Sequence, residues 1–449
     1  MTVVQKGQQV TIAQTLAGLV RRFLGVDLPV RLRAWDGSVA GPADAPMVVI
    51  RSRRALRRLL WDPNELGLAR AYVSGDIDVE GELKDGLSRF WSLARREGLG
   101  KVRLSTADRL HAVGQALRLG VIGPRPAAPP EEARLSGAEH TKSRDRAAIA
   151  HHYDLSNEFY RTLLDPNMAY SCGYWTSDAP DYTVEDAQRD KLDLICRKLD
   201  LKPGMRLLDV GCGWGSLILH AAANYGVHAT GVTLAAQQRE FIQARIAERG
   251  LTGRVEVRLQ DYREIPDDGF DAIGTVEMGE HVGLGNYPTY AAQLFRLLKP
   301  SGRLLLQQMS RVATAPKASG GGAFIERYVA PDMHMRPVGE TIAMLEQAGL
   351  EVRDVEAMRE HYVWTVDAWA RTLESRAAEL SALVGNGQLR VWRLYLAGGA
   401  LAFQENRMGV DQILAVRPTA SGASGMPRTR RDREVRPVNE IGPVNEMTQ

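Results

Sequence analysis

The sequence predicts an α/β protein, with a doubly wound, mostly parallel sheet domain behind a smaller α+β domain. Three observations carry this. Strand-like and helix-like stretches alternate from about residue 138 to 415, the pattern of a parallel sheet covered on both faces. Within that run, the apolar stretch Leu207–Val210 leads into Gly211-Cys-Gly-Trp-Gly215, a glycine-rich turn of the kind that lets backbone approach a ligand closely. Upstream, Gly123-Pro-Arg-Pro-Ala-Ala-Pro-Pro-Glu-Glu132 holds four prolines in seven residues, which excludes helix and favours a stiff extended chain.

In chain order, Thr11 to Leu24 reads as a short amphipathic helix. Val30–Arg33 and Met47–Ile50 read as strands around the turn Asp36-Gly37, and Ser52–Leu60 as a helix capped by Ser52. Leu87–Leu99 and Ser105–Leu119 carry apolar residues at three- and four-residue spacing, which predicts helices. These elements place a first domain at 1–120, a proline-rich linker at 121–137 and a catalytic domain at 138–415. In the last, Arg206–Val210, His228–Val232, Val255–Leu259, Phe270–Val276 and Gly302–Gln307 read as strands. Ala235–Gly250 and Tyr287–Leu298 read as intervening helices, and Thr365–Arg407 is largely helical. The tail 416–449, rich in Arg, Pro, Gly and Ser, reads as disordered.

Composition narrows the class. At 44% hydrophobic and 25% charged, the 449 residues fit a soluble globular protein of two or three domains. No run of 18 apolar residues predicts a membrane span, and the N-terminus lacks a signal-peptide layout. Cys172, Cys196 and Cys212 are too few for a disulfide framework and lack zinc-ligand spacing, so a reducing cytoplasm is expected and no metal. Cys196, Cys212, His220, His228 and His334 read as structural. Residues 1–130 carry 20 Lys and Arg against 12 Asp and Glu. That basic balance fits docking on anionic lipid headgroups or nucleic acid, or a merely solvated surface.

The glycine turn suits a nucleoside-bearing cofactor but not a dinucleotide. Its spacing is not Gly-x-Gly-x-x-Gly, and no acidic residue ends the second strand, where Gly231-Val-Thr-Leu234 stands, followed by Gln237 and Gln238. Hydroxyl and amide groups there can still hydrogen-bond a ribose, and Asp261-Tyr262 past the third strand can hold an adenine edge and stack on it.

The chain resembles the cyclopropane-fatty-acyl-phospholipid synthase family, which includes the mycolic acid cyclopropane synthases. The resemblance rests on His151-His-Tyr-Asp-Leu-Ser-Asn157, Leu164-Asp-Pro166, Tyr170-Ser-Cys-Gly-Tyr-Trp175, Leu208–Gly215, Gly231–Leu234, Glu280-His-Val-Gly283 and His361-Tyr362. Leu66-Gly-Leu-Ala-Arg-Ala-Tyr-Val-Ser-Gly-Asp76 is similar to the N-terminal lipid-associated domain of the bacterial phospholipid enzymes. The resemblance implies a Rossmann-like methyltransferase sheet that uses S-adenosylmethionine to methylate the double bond of an unsaturated acyl chain in a phospholipid. The implied cofactor contacts are Tyr170, Ser171, Gly211, Thr233, Leu234, Gln238, Asp261 and Tyr262, with Gly213 from the turn itself.

An isolated double bond is a poor nucleophile, and its methylation leaves a carbocation that aromatic faces and carboxylates stabilise. Tyr170, Tyr174, Trp175 and Tyr362 are candidate faces. The family binds bicarbonate as base through a Cys, a Glu, a His and a Tyr. Cys172, Glu280 and Tyr362 match, while Gln307 stands at the His position and Glu277 where the family has a small residue. These departures count against bicarbonate. They lead us to expect the Glu277 carboxylate in the anion's place, with Gln307 donating to it. Proton loss after a hydride shift gives a methylene chain, reducible to a methyl branch by a later reductase; direct loss gives a cyclopropane. The reading leans to the first. It further implies an unsaturated phospholipid substrate, a basic domain on the inner membrane face, and pairing as a homodimer. The alternatives are a small-molecule methyltransferase on amines or polyketides and an inactive lipid-binding protein. Nucleic-acid methylation is disfavoured, because Glu277-Met-Gly-Glu-His281 is not an Asn/Asp-Pro-Pro-aromatic motif.

Overall fold

The computed structural model describes residues 10–96, 105–133, 141, 144, 156–266, 268–314 and 322–429. They form two compact units, and the division is not linear along the chain. One comprises Met1–Arg134, Gly321–Pro331 and Trp369–Ala402; the other comprises Leu135–Gly320, Asp332–Ala368 and Phe403–Gln449.

The first unit opens with α1 (Ile12–Leu24), started by a capping box between Thr11 and Gln14 and stopped by Gly25 in the left-handed region. Strands β1 (Arg31–Arg33), β2 (Val39–Ala40), β3 (Met47–Ile50) and β4 (Ile77–Glu80) form a sheet in the order β2-β1-β3-β4. Helices α2 (Arg53–Trp61, capped by Ser52), α3 (Glu65–Val73), α4 (Leu83–Arg96) and α5 (Thr106–Arg118) accompany it. Leu16, Leu32, Ile50, Ala55, Ala71 and Ile77 form its core.

The proline-rich stretch is extended but is not a free spacer. Arg57 and Arg58 donate to the carbonyls of Val121 and Ala127, and Arg70 grips Glu132 through two hydrogen bonds of 2.8 and 2.7 Å. It is a strap on the first unit. The expected uninterrupted domain 138–415 also needs correction, because 321–331 and 369–402 belong to the first unit. Arg390 shows why: it donates to the carbonyls of Tyr72 and Ile77 at 2.6 Å each and stacks over the Tyr72 ring.

The second unit holds α6 (Asn157–Leu163) and α7 (Val184–Lys198), then a seven-stranded sheet. Its strands are β5 (Arg206–Val210), β6 (His228–Thr233), β7 (Val255–Leu259), β8 (Phe270–Val276), β9 (Leu298–Arg311), β10 (Glu351–Ala357) and β11 (Met408–Val416), in the order β10-β11-β9-β8-β5-β6-β7. From β9 to β7 neighbours are parallel; β11 pairs antiparallel with both β9 and β10. Helices α8 (Ser216–Tyr225), α9 (Ala236–Glu248) and α10 (Tyr287–Leu297) connect the parallel strands. Later in the chain, α12 (Val338–Gln347) and the start of α13 (Arg359–Ser375) belong to this unit, whereas α11 (Gly322–Tyr328), the end of α13 and α14 (Ala377–Gln404) up to Ala402 belong to the first.

Alternate strand residues feed two cores, one on each face. Leu207, Ala229, Leu305 and Leu414 pack in one, and Leu208, Val210, Leu304, Leu306 and Ile413 in the other. The order reverses between β5 and β8, so the crevice beyond their carboxyl ends is the expected ligand position. Part of the tail is ordered: residues 417–429 continue past β11, and Met426 packs against the first of these cores. Residues 430–449 lie outside the described residues, as do His151–Leu155 of the His-His-Tyr-Asp motif.

Candidate active site

The glycine turn is built by main-chain pairing. The N–H groups of Gly211 and Cys212 both donate to the Val232 carbonyl, tying the end of β5 to β6. Gly211 sits at φ 82°, where a side chain is strained, and an added Cβ would come within 2.8 Å of Met278 Cγ. Trp214 Nε1 donates to Asn157 Oδ1 at 3.0 Å, anchoring the turn to α6.

Over this turn opens a cleft of about 990 Å³, counted to its mouth. Tyr170, Ser171, Gly211, Gly213, Thr233, Leu234, Gln238 and Tyr262 all line it. Asp261 is placed otherwise. It caps the short turn Tyr262–Glu264 and its carboxylate is held by Arg263 at 2.6 Å, while Gln260 borders the cleft.

Among the residues lining the cleft, Gln238, Asp209 and Gln260 each have a buried polar side-chain atom with no hydrogen-bond partner. Thr233 Oγ1 donates to Gln238 Oε1 at 2.7 Å, which leaves Gln238 Nε2 as an unused donor; Asp209 Oδ1 is an unused acceptor. Buried polar atoms left unpaired are costly. A donor, an acceptor and bare glycine backbone along one cleft fit the hydroxyls and ammonium of a nucleoside amino acid.

The deeper wall carries the carboxylates. Glu277 follows β8 at φ 52°, a left-handed conformation that costs a non-glycine residue about 1 kcal/mol or more. That twist brings its carboxylate among three donors. Oε1 accepts from the Cys172 N–H at 2.9 Å and from Gln307 Nε2 at 3.0 Å; Oε2 accepts from the Tyr362 hydroxyl at 2.7 Å. Burial pushes the Glu277 carboxyl above its ordinary range, and it outweighs the opposing pull of these hydrogen bonds and of Lys191.

Glu280 stands behind the cleft, fully buried. Its Oε1 accepts from the Met309 N–H and its Oε2 has no partner. Burial, then the proximity of Glu277, pushes it to about 8, so it is a neutral acid at neutral pH. The Cys172 thiol is also pushed up by burial and by Glu277, so it is no thiolate nucleophile. What Cys172 offers Glu277 is its main-chain N–H.

Of the candidate aromatic faces, Tyr170 lines the cleft. Tyr362 stacks on Phe403 and is aimed by its hydroxyl at Glu277. Tyr174 stacks flat on His361, and Trp175 donates its indole N–H to Thr365, so both help to fix α13 against the segment that holds Cys172.

A family model for mycolic acid cyclopropane synthetase matches residues 140–413. The chain belongs to that family. It is 36% identical over 422 residues to a Pseudomonas putida protein named "Probable fatty acid methyltransferase", covering 93% of this chain and 99% of that one. It is 36% identical over 370 residues to the cyclopropane-fatty-acyl-phospholipid synthase of Escherichia coli K12, covering 80% and 94%. Among solved structures it is similar to mycolic acid cyclopropane synthase CmaA1 complexed with SAH and CTAB, with 30% identity, a TM-score of 0.57, and coverage of 60% of this chain and 97% of that one. The family's activity is S-adenosylmethionine-dependent modification of unsaturated fatty acyl chains, and this chain is an enzyme of that type. A small-molecule methyltransferase or an inactive lipid binder is not favoured.

Within this family site, one functional residue escapes a sequence reading. Lys191 is 1% exposed on α7, lines the cleft, donates to Ser171 Oγ at 2.8 Å and faces Glu277, Asp165 and Asp209. The available signal is that Gln188 and Lys191 interrupt the buried stripe Ala187, Leu192, Ile195 and Cys196. A polar residue on a core stripe is more informative than an apolar one.

Proposed function

We propose that this enzyme methylates the cis double bond of an acyl chain on a membrane phospholipid, and that Glu277 takes the proton that leaves. The observation that carries this is the carboxylate itself, fixed by three donors beside the cleft with its basicity raised by burial.

Bound S-adenosylmethionine supplies an electrophilic methyl group and keeps the C–S bonding pair on sulfur. The glycine turn, Gln238, Ser171 and Tyr170 would hold it. Once methylated, the chain carries a cation on the carbon next to the new branch. The Tyr170 ring and the Glu277 charge stabilise that cation, and the enclosed wall keeps water from quenching it. A hydride moves from the methylated carbon to its neighbour. The methyl group then gives a proton to Glu277, and its C–H pair becomes the double bond of an exomethylene chain. The P. putida relative's name supports a methyl-type product; the E. coli relative's supports a cyclopropane. A methyl branch then requires a separate reductase adding hydride and proton.

Purified enzyme given labelled S-adenosylmethionine and vesicles of unsaturated phospholipid should yield exomethylene resonances by NMR, at a rate indifferent to added bicarbonate. Cyclopropane ring protons would overturn the product reading, and bicarbonate stimulation the assignment of the base.

The basic first unit is the docking module in this reading, holding the enzyme at the inner membrane face. No helix among the described residues is long and apolar enough to cross a membrane. On α5, Leu110, Val113 and Leu117 are 70%, 52% and 63% exposed at helical spacing, with Arg118 beside them. Such a stripe suits shallow insertion among anionic headgroups, and two copies of the chain would offer two such faces. Leu110→Ser with Leu117→Ser should weaken sedimentation with anionic vesicles about tenfold while leaving turnover of detergent-dispersed lipid intact. Unchanged sedimentation would exclude this face.

A further inference from the structure

A row of polar side chains crosses the sheet beside the carboxylate wall. Glu356 on β10, Gln412 on β11 and Gln307 on β9 are register partners in adjacent antiparallel strands. Direct partners project to the same face, so the three side chains lie side by side. Gln307 and Gln412 are both 0% exposed. At the end of α7, Lys198 Nζ donates to Glu356 Oε2 at 2.5 Å and to Gln412 Oε1 at 2.8 Å. Gln412 Nε2 donates to Gln307 Oε1 at 3.0 Å, and Gln307 Nε2 donates to Glu277 Oε1 at 3.0 Å.

The direction of this row follows from one group. An ammonium can only donate, so Gln412 turns its carbonyl to Lys198 and its amino group to Gln307. Gln307 is forced to follow, and its amino group meets Glu277. The Cys172 carbonyl, 3.3 Å from the same nitrogen, accepts as well and favours the same orientation. Oε1 of Glu277 then receives two N–H donors, from Gln307 and from Cys172, and has no room for a proton. Oε2 faces a hydroxyl, which can turn from donor to acceptor.

We propose that Lys198 and Gln412 are positioning residues that, through Gln307, lock an amide donor onto Glu277 Oε1 and reserve Oε2 as the oxygen that receives the proton from the methylated chain. This rests on Glu277 being the base. Neither residue borders the cleft or touches Glu277; they act through Gln307 alone.

The test is the pH dependence of kcat, on the full-length enzyme with vesicle substrate. Glu277 is also faced by Lys191 from α7, Cys172, Tyr362 from α13 and Glu280 from the turn after β8. Glu356 is faced by Lys198, Tyr174 and His361. None of these groups except Lys198 is altered. Gln412→Glu, close in shape, places a carboxylate between Lys198 and Gln307. It reverses Gln307 and presents that residue's carbonyl to Glu277. The acid limb of the profile should move up by two pH units or more, with at least a tenfold loss at neutral pH. Lys198→Met should move the limb up by about one unit, and Lys198→Arg should return it.

A single cooperative thermal transition, at a lowered midpoint, and a calorimetric S-adenosylmethionine affinity within error of wild type show that fold and cofactor site survive. A loss that is uniform across pH, or limbs that stay in place, would overturn the relay. Glu277→Gln separates this from the underlying reading. If that variant abolishes the limb while Gln412→Glu leaves it in place, the relay alone is wrong. If it keeps both rate and limb, the assignment of the base falls and the relay with it.

Discussion

Replacing Glu277 with Gln should lower kcat by about 10²- to 10⁴-fold, the range a general base contributes, with little change in cofactor affinity. The substitution is nearly isosteric. The Gln oxygen can still accept from the Cys172 N–H and Gln307, and the Tyr362 hydroxyl can turn to accept. Only the capacity to take a proton is lost. Wild-type kcat should rise with pH through the raised Glu277 value, because the carboxylate is the working form and falling pH removes it. The variant's residual rate should lack that limb. Stability should move the other way. Native Glu277 holds its proton to a higher pH than the unfolded chain does, so its contribution is full at acid pH and is lost as pH rises through the folded value. The Gln variant should therefore gain in melting temperature relative to wild type as pH rises. Pre-steady-state turnover across pH, with calorimetric melts at the same values, tests both signs; a variant that keeps wild-type rate and limb would refute the role.

Lys191→Met should cost about 3–5 kcal/mol at neutral pH, the scale for removing one partner from a buried charge cluster. Lys191 is buried and donates to Ser171 Oγ among Glu277, Asp165 and Asp209. Burial pushes Asp209 to about 7 even with Lys191 drawing it down, and Asp165 is raised as well. Without the ammonium these acids rise further and stay protonated in the native state where the unfolded chain has released its protons. Native protein then binds more protons than unfolded, so stability falls as pH rises. The penalty should be small at pH 5 and large at pH 8 in urea titrations. Equal penalties at the two values would show that Lys191 acts by packing alone.

What the sequence could disclose followed from where the signal is local. The five parallel strands are legible because each is a short apolar run between turn residues, such as Leu207–Val210 before Gly211. β11 is not, since Asp411 and Gln412 break its apolar run. In β10, Glu351–Ala357 alternates charges on a partly exposed edge strand. In the first unit β4 escaped for a similar reason, its Asp78 and Glu80 being taken up by arginines. The glycine-turn residues meet in one cleft because backbone geometry at a strand end is set within a few residues. Asp261 shows the limit of that logic, as Arg263, two residues on, claims its carboxylate. Glu277 and Gln307 stand out in the sequence only as departures from a resembled pattern. Their contact comes from β8 lying beside β9 and from a left-handed residue, neither visible in spacing. The interleaving of the units is tertiary throughout.

That interleaving makes the first unit inseparable by a single cut. Severing the chain after residue 134 would not release it, because 321–331 and 369–402 arrive from the other fragment and complete its fold. Tyr328 would still reach Glu132, and Arg390 would still clasp Tyr72. A nicked molecule would migrate as one particle in native electrophoresis and fall apart only in denaturant. Gene fusion or loss at that boundary faces the same knot: a descendant shedding its first 134 residues must first rewrite Arg390, Trp392 and their neighbours for water.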